Sequence, residues 1–591
     1  MAKSKHMFRK PISFDTTIRN PERIPQFLSI LKLYEGKILT IEIALEIEAK
    51  LIINKIYEPT SSTLGKYRKE YSKKFKFVAE DQSPDAENKV KLYFQEWKSS
   101  DAGSFSLEKM IYLLKNTTQE FRQDSSMPGG WVSRFYTQFI FANELGFVHT
   151  EFDREIQFSE NGNLMIHDYE NGEVKQDFNE TYETSAFLIA FSKYQINNPY
   201  RSNTIKVNFF VLLLNVIMYL REKYDRPGIH REDISFVIAW GNNNHEELAE
   251  YIYSFRKKFG YKVSEEIIYE YAMNLIDEDT PNDLVPASQS FIELKKKHYK
   301  FEKIIRETRD EVIRKLRMTR LISLRGNGNF IDIDTLNIDK VNYILENYHN
   351  NISFETTEFQ KYLNYMGKVD ENLIYPIKLE ETKVIKDTKQ RALDKWSKEP
   401  WDFLYNELVK SAFKNQTDNL ILKEIKNTAR FEFLVSIVLN KALNNAYIQP
   451  NYIVDDEGIP YSTAGGQTKN SVGADIDVFE GDIHAIVEPT ISNSRSFQVE
   501  HEIPSIQEHV LISNERDYKE KEYINDWFAI FVAPEIVPAV GNRIDIVKSE
   551  SDVDIYAFKA DDFGEISKNA TSINDFKLKR DYAKGRRIKK R

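Results

Sequence analysis

The stretch Gly473-Ala474-Asp475-Ile476-Asp477-Val478-Phe479-Glu480-Gly481-Asp482-Ile483-His484-Ala485-Ile486-Val487-Glu488-Pro489-Thr490 decides how the chain is read. Ile476 and Val478 alternate with Asp475 and Asp477, and Ile483, Ala485 and Val487 alternate again after Glu480-Gly481-Asp482. Alternation with period two on either side of a Gly-containing turn predicts two paired strands. Pairing brings the outer ends together and sets Asp475 beside Glu488. Two carboxylates held that close repel each other unless a cation lies between them. Hard oxygen ligands of this kind suit Mg²⁺, which takes one or two protein carboxylates and keeps several waters. His484 lies between the acids in sequence; it is expected to face the other side of its strand and to take no catalytic part.

Around this hairpin the pattern is α/β. Phe431 to Leu439 reads as an apolar helix that carries Glu432, and Tyr452 to Val454 as a strand. Ser496 to Leu511 reads as a helix, Trp527 to Pro534 as a buried strand, and Ile555 to Phe558 as another. This order predicts a mixed sheet flanked by helices. Residues 345–425 are polar and mostly helical, with breaks at Pro376 and Pro400, and read as a connector.

The N-terminal half is mainly helical. Trp131 to Leu145 is apolar at helical spacing and stops at Gly146. Ile156 to Phe158 and Leu164 to Ile166 read as strands about an Asn161-Gly162-Asn163 turn. Helix followed by hairpin is the end of a winged-helix module, whose helix enters a DNA major groove. The pattern recurs in the charged helix Phe301 to Met318, with Arg314 and Arg317, followed by Leu321 to Arg325, Gly326 to Asn329 and Phe330 to Ile333. Asn208 to Leu220 reads as a buried helix. Lys66, Lys69 and Lys73 among Tyr67, Tyr71 and Phe75 suit a face that tracks phosphates, as do Arg19, Arg23 and Arg325. The basic tail from Phe576 to Arg591 is expected to be flexible and to add non-specific DNA attraction.

Composition narrows the classes. A chain of 591 residues has room for about four domains. No apolar run of 18 residues and no N-terminal apolar segment behind Met1 point to a membrane span or a secretory signal. The chain has no Cys, which excludes a disulfide framework and thiolate zinc sites. These features fit the cytoplasm, and richness in Lys, Ile and Asn points to a bacterial source. The net charge of −9 argues against a strongly basic nucleic-acid binder, although a local basic face is what binds phosphate. There is no P-loop, G-x-G-x-x-G or H-E-x-x-H motif, so NTP use, dinucleotide binding and zincin chemistry are not expected.

The acid, strand, turn and second acid resemble the core of PD-(D/E)xK nucleases. Three flanking blocks sharpen the match: Arg430-Phe431-Glu432-Phe433-Leu434, Asn451 to Pro460, and Phe497 to Pro504. Ser13 to Ile24, Arg231 to Ile234 and Trp240 to Asn244 add to it. The whole is similar to the AlwI-like family of type IIS restriction endonucleases, which includes strand-nicking members. Ala474 stands where the superfamily has Pro, and Thr490 where it has Lys. The AlwI-like family also tends to lack that Lys and to offer a Glu on the next helix, here Glu500 or Glu502.

The resemblance implies a multidomain chain: DNA-recognition subdomains at 1–175 and 176–345, both winged-helix-like, a helical linker at 346–420, and an α/β PD-(D/E)xK-like nuclease domain at 421–591. It implies Mg²⁺-dependent cleavage of double-stranded DNA at a fixed distance to one side of a short asymmetric site. Asp475, Glu488 and the Pro489 carbonyl would hold the ion, and Glu432 and Glu500 would position water or a second ion. A transient homodimer or a small second subunit would complete double-strand cleavage, and a cognate methyltransferase would protect the host. A site-specific nicking enzyme, the large subunit of a two-subunit cutter, a non-catalytic DNA-binding regulator and a helical protein without DNA affinity remain alternatives.

Overall fold

The computed structural model describes residue 12 and residues 23–578, apart from 59–63, 71–77, 118–120, 123–130, 176–179, 202–204, 227, 277–283, 327, 335–336, 351, 375–376, 379–387, 464–472 and 522. Helices dominate, and the chain divides into two compact units: 1–322 with 333–383, and 323–332 with 384–591. The stretch 346–420 supplies helices to both, Phe359–Gly367 to the first and Trp401–Ala412 to the second. Among the described residues no helix is long and apolar enough to cross a membrane.

The first unit is helical with short strand pairs. Its buried helix spans Phe209–Tyr224, as the sequence predicts. The Asn208 side chain caps it by accepting the Val211 N–H at 3.2 Å, and Asp225 ends it in the left-handed region at φ 49°. It packs against the helix His245–Phe259. Ser133–Glu144 is helical and Val148–His149 pairs with Gln157–Phe158. The expected next strand, Leu164 to Ile166, is not a strand: Glu160–Met165 is a helix. The Ser159 hydroxyl accepts the Gly162 N–H at 2.9 Å and starts that helix. A Cβ at Gly162 would lie 1.9 Å from the Phe147 carbonyl oxygen, so the glycine serves close packing rather than a hairpin turn. In the charged segment, Lys303–Glu307 winds as a π turn and Thr308–Leu316 as an α-helix.

The second unit takes in, first in chain order, all but the outer residues of two short neighbouring strands, β1 (Ile322–Arg325) and β2 (Phe330–Ile333). These are the strands expected of the second wing, and residues 323–332 between them belong to this unit. The Asp455-Asp456-Glu457 loop holds them. Ser323 Oγ donates to Glu457 at 2.8 Å, the Leu324 N–H to Asp456 at 3.1 Å, and the Gly326 N–H to Asp455 at 3.1 Å. Arg325 is 1% exposed, with Nη1 on Glu424 at 2.6 Å and Nε 3.3 Å from Asp332. Its expected role as a DNA contact therefore fails: buried Asp332 and half-buried Glu424 take up its guanidinium.

The rest of this unit is a five-stranded sheet between helices. Trp401–Ala412 (α1) and Asn427–Ala442 (α2) precede β3 (Tyr447–Pro450), β4 (Ile476–Glu480) and β5 (Ile483–Pro489). Then come α3 (Ile503–Glu520), β6 (Asp526–Ala533), α4 (Pro538–Ser551), β7 (Asp554–Lys559) and α5 (Ala560–Ser567). The order is β3-β4-β5-β6-β7; the first two pairings are antiparallel and the last two parallel. The predicted mixed sheet is thus present. Alternate residues feed two cores. Ile476, Val478, Ala485, Val487 and Ile530 share one with α2, while Ile486, Ala529 and Phe531 share the other with Ile503, Ile506 and Val510 of α3. With both faces covered, β5 is buried throughout and its register is fixed.

Candidate active site

The β4–β5 hairpin turns through Gly481-Asp482, with Gly481 at φ 61°. Its register pairs Ile476 with Val487 and Phe479 with His484. Extending that register by one residue sets Asp475 opposite Glu488, and the Asp475 N–H donates to Glu488 Oε1 at 3.4 Å. Glu488 sits at the C-terminal end of β5, which runs parallel to β6. That end of parallel strands is where open α/β sheets bind ligands.

Both acids are strained electrostatically. Burial and the adjoining Glu488 hold Asp475 well above the usual carboxylate range. Burial pushes Glu488 up to about 8 against the pull of its hydrogen bonds with Asp475, and Glu502 and Glu432 add repulsion. Glu432, 4% exposed on α2, thus acts on Glu488 from its helix. Burial also raises Glu502, opposed by a hydrogen bond from Thr490 and by the charges of His509 and His501.

Of the two acids offered by the next helix, Glu502 rather than Glu500 bears on the pair. Glu500 is exposed, whereas Glu502 is half-buried and bears on both Asp475 and Glu488. The lead-in Phe497–Glu502 winds as a π turn before α3, so its side chains do not follow α-helical phase. Thr490, two residues after Glu488, bonds Glu502.

Further residues complete the surroundings. The Asn451 N–H donates to the Asp475 carbonyl, and its Nδ2 to the Ala474 carbonyl and to Asp477 Oδ2, each at 2.8 Å. One side chain therefore pins the entry to β4. His484 does not face away: residues 484 and 488 share strand parity, so its ring lies on the Glu488 side. It is fully buried, with Nε2 2.8 Å from Asp477 and Nδ1 on Asp517 of α3, and it stacks on Phe479. His509 of α3 places Nδ1 2.7 Å from Glu488 Oε1. Burial pushes its imidazolium down, opposed by Glu508, Asp477 and Glu502. Asn451 lay in a quoted block, and His509 follows Glu502 by seven residues, two helical turns; that spacing was the available signal.

The proposed DNA contacts lie elsewhere. Arg314 and Arg317 are exposed on the first unit, as are Lys66 and Lys69. Arg23 is exposed, and its Nη1 reaches the Ile56 carbonyl at 3.5 Å. Arg19 and Lys73 lie outside the described residues. Among the described residues no group of three or more His, Asp or Glu side chains has a metal-holding arrangement.

Comparison with known proteins gives the family. The model of the AlwI restriction endonuclease family matches residues 143–399 and 366–548, which together span more than half of the chain. The small subunit R.BspD6I2 of the heterodimeric restriction endonuclease R.BspD6I is 19% identical and aligns over 30% of this chain and 81% of its own, with a TM-score of 0.22. Restriction endonuclease FokI is 11% identical over 96% of this chain and 97% of its own, with a TM-score of 0.23; its DNA-bound structure is 12% identical, with a TM-score of 0.20. A search of curated proteins gives no match. The family match spans both units, and the chain belongs to the AlwI restriction endonuclease family, as a type II enzyme that hydrolyses DNA.

Proposed function

We propose that the enzyme binds a short asymmetric site in double-stranded DNA and hydrolyses a phosphodiester at a fixed distance to one side, with Mg²⁺. The observation that carries this reading is the pair Asp475 and Glu488, side by side and both pushed toward protonation. The donor chemistry fits a hard divalent cation: two adjoining buried carboxylates are relieved by positive charge. Asp475, Glu488 and the Pro489 carbonyl would hold it. When bound, a divalent cation supplies charge that polarises the phosphate and acidifies a water.

The chain's own residues do the rest. Glu502, raised by burial and oriented by Thr490, accepts the proton of the attacking water. Glu432, whose charge bears on Glu488, orients that water. Water oxygen bonds to phosphorus as the bond to the 3′ oxygen breaks, and that oxygen takes a proton from solvent, leaving 5′-phosphate and 3′-hydroxyl ends. Arg19, Arg23, Lys66, Lys69, Lys73, Arg314 and Arg317 neutralise phosphates and hold register. Recognition in one unit and hydrolysis in the other account for an offset cut.

Each chain contributes one Asp475–Glu488 pair, which favours a second reading. A lone molecule cuts one strand, and double-strand cleavage takes a homodimer or a small second subunit. A cognate methyltransferase modifying the same site would protect the host, a bacterial cytoplasm. The test is incubation with supercoiled plasmid in Mg²⁺ or EDTA, with sequencing of the ends. Linear fragments with ends at one offset support the double-strand reading, and open circles cut at one position support nicking. Asp475→Asn should abolish cleavage and retain DNA binding; undiminished cleavage by this variant rejects the site.

A further inference from the structure

We propose that His509 is a positioning residue for Glu488: its Nδ1–H fixes the carboxylate through Oε1 and thereby sets the affinity of the Asp475–Glu488 pair for a divalent cation. The inference rests on the cation-dependent reading above.

Three observations support it. First, Oε1 receives both His509 Nδ1, at 2.7 Å, and the Asp475 N–H, at 3.4 Å. A carboxylate that binds a cation is ionised and can only accept, so Nδ1 carries the hydrogen. A carboxylate held twice through one oxygen cannot turn freely about its terminal bond. Its other oxygen is thereby aimed without an ordering cost at the moment of binding. Second, the ring itself is anchored. Ile506 and Val510 of α3 are buried beside it, and Ser505 Oγ lies 3.4 Å from Nε2. A hydroxyl donating there selects the tautomer with hydrogen on Nδ1. Third, position 490 supplies Thr, whose side chain goes to Glu502. Among the described residues, the basic side chain in contact with Glu488 is that of His509.

The probe is the metal alone. Mn²⁺ binding to the full chain without DNA, followed by electron paramagnetic resonance, is compared for the native protein, His509→Ala and His509→Asn. Removing the partner that orients a ligand should weaken Mn²⁺ roughly 10–100-fold. Asn presents an N–H near the position of Nδ1 and should recover most of the loss. The Mg²⁺ concentration for half-maximal cleavage should shift in parallel, while the rate at saturating Mg²⁺ stays close to native. If His509→Ala does not fold, His509→Gln replaces it, because its N–H reaches the Nε2 position and does not restore affinity.

Native Mn²⁺ affinity in His509→Ala, or no recovery in a folded His509→Asn, overturns the proposal. Glu488→Gln separates the two levels. If it loses Mn²⁺ binding and cleavage while His509→Ala keeps both, only the role of His509 has failed. If Glu488→Gln itself keeps both, the site reading has failed.

Discussion

Glu488→Gln should stabilise the metal-free nuclease unit, and increasingly so as the pH rises. In the folded chain Glu488 titrates at about 8 rather than near 4.5, chiefly because it is buried. The folded state therefore binds this proton more tightly than the unfolded state. Between those two values the unfolded chain has released the proton and the folded chain has not. Stability then falls with rising pH, by about 1.4 kcal/mol per unit, and the loss is complete above about 8. The full effect is at most roughly 5 kcal/mol. Gln cannot ionise, yet its amide oxygen still accepts from His509 and from the Asp475 N–H. Steric fit is preserved and the charge is removed.

The measurement is urea unfolding in EDTA from pH 5 to 9, native against variant. The native protein should lose roughly 2–3 kcal/mol relative to Glu488→Gln between pH 6 and 8. Saturating Mg²⁺ should remove that fall, since a cation bound by the ionised pair adds about 2.7 kcal/mol at a hundredfold excess over its Kd. Parallel stability curves for the two proteins in EDTA would refute the argument. They would mean that Glu488 is solvated enough to ionise normally, and the electrostatic case for a cation there would go with it.

Other perturbations separate the remaining assignments. Glu502→Gln should lower kcat by about 10²–10⁴, the range for a lost general base, whereas Glu500→Gln leaves it within about twofold; single-turnover cleavage measures both. Arg325→Ala should cost on the order of 3–5 kcal/mol, because buried Asp332 is left without its cation and half-buried Glu424 loses its partner. Its DNA affinity should keep the native salt dependence. Arg314→Ala and Arg317→Ala should do the reverse, each reducing the slope of log K against log salt by about one and leaving stability intact.

The hairpin was legible because period two is a strong constraint when one residue in two enters a core. Ile476, Val478, Ala485 and Val487 face α2 as their alternation requires, and Asp475 meets Glu488 for the same reason. Parity also determined the side of His484, and there the expectation misapplied it: residues four apart on a strand share a face. The choice between Glu500 and Glu502 was not legible, because a π turn breaks the helical phase just where it was needed. Asn161-Gly162 reads as a turn by composition. It became a helix because the missing Cβ lets the backbone approach Phe147, a tertiary contact that no local pattern reveals.

Arg325 shows the same limit in charge. A basic residue before a glycine turn looks like a phosphate contact until its surroundings are known, and here those surroundings are acids. Asp332 comes from across the strand pair and Glu424 from beyond residue 420, so the reading depended on strand pairing and on a contact distant in sequence. What this implies for the site is specific. Asp475 and Glu488 sit at the edge of a doubly covered hairpin, and the groups around them, Asn451 and His509 on the pair and Thr490 on Glu502, are set by β-strand register and by the docking of α3. Pairing and helix docking, rather than motif spacing, position the residues that surround the two acids. A substitution that displaces α3 should therefore reduce activity as surely as one at Glu488, while leaving the acid pair intact.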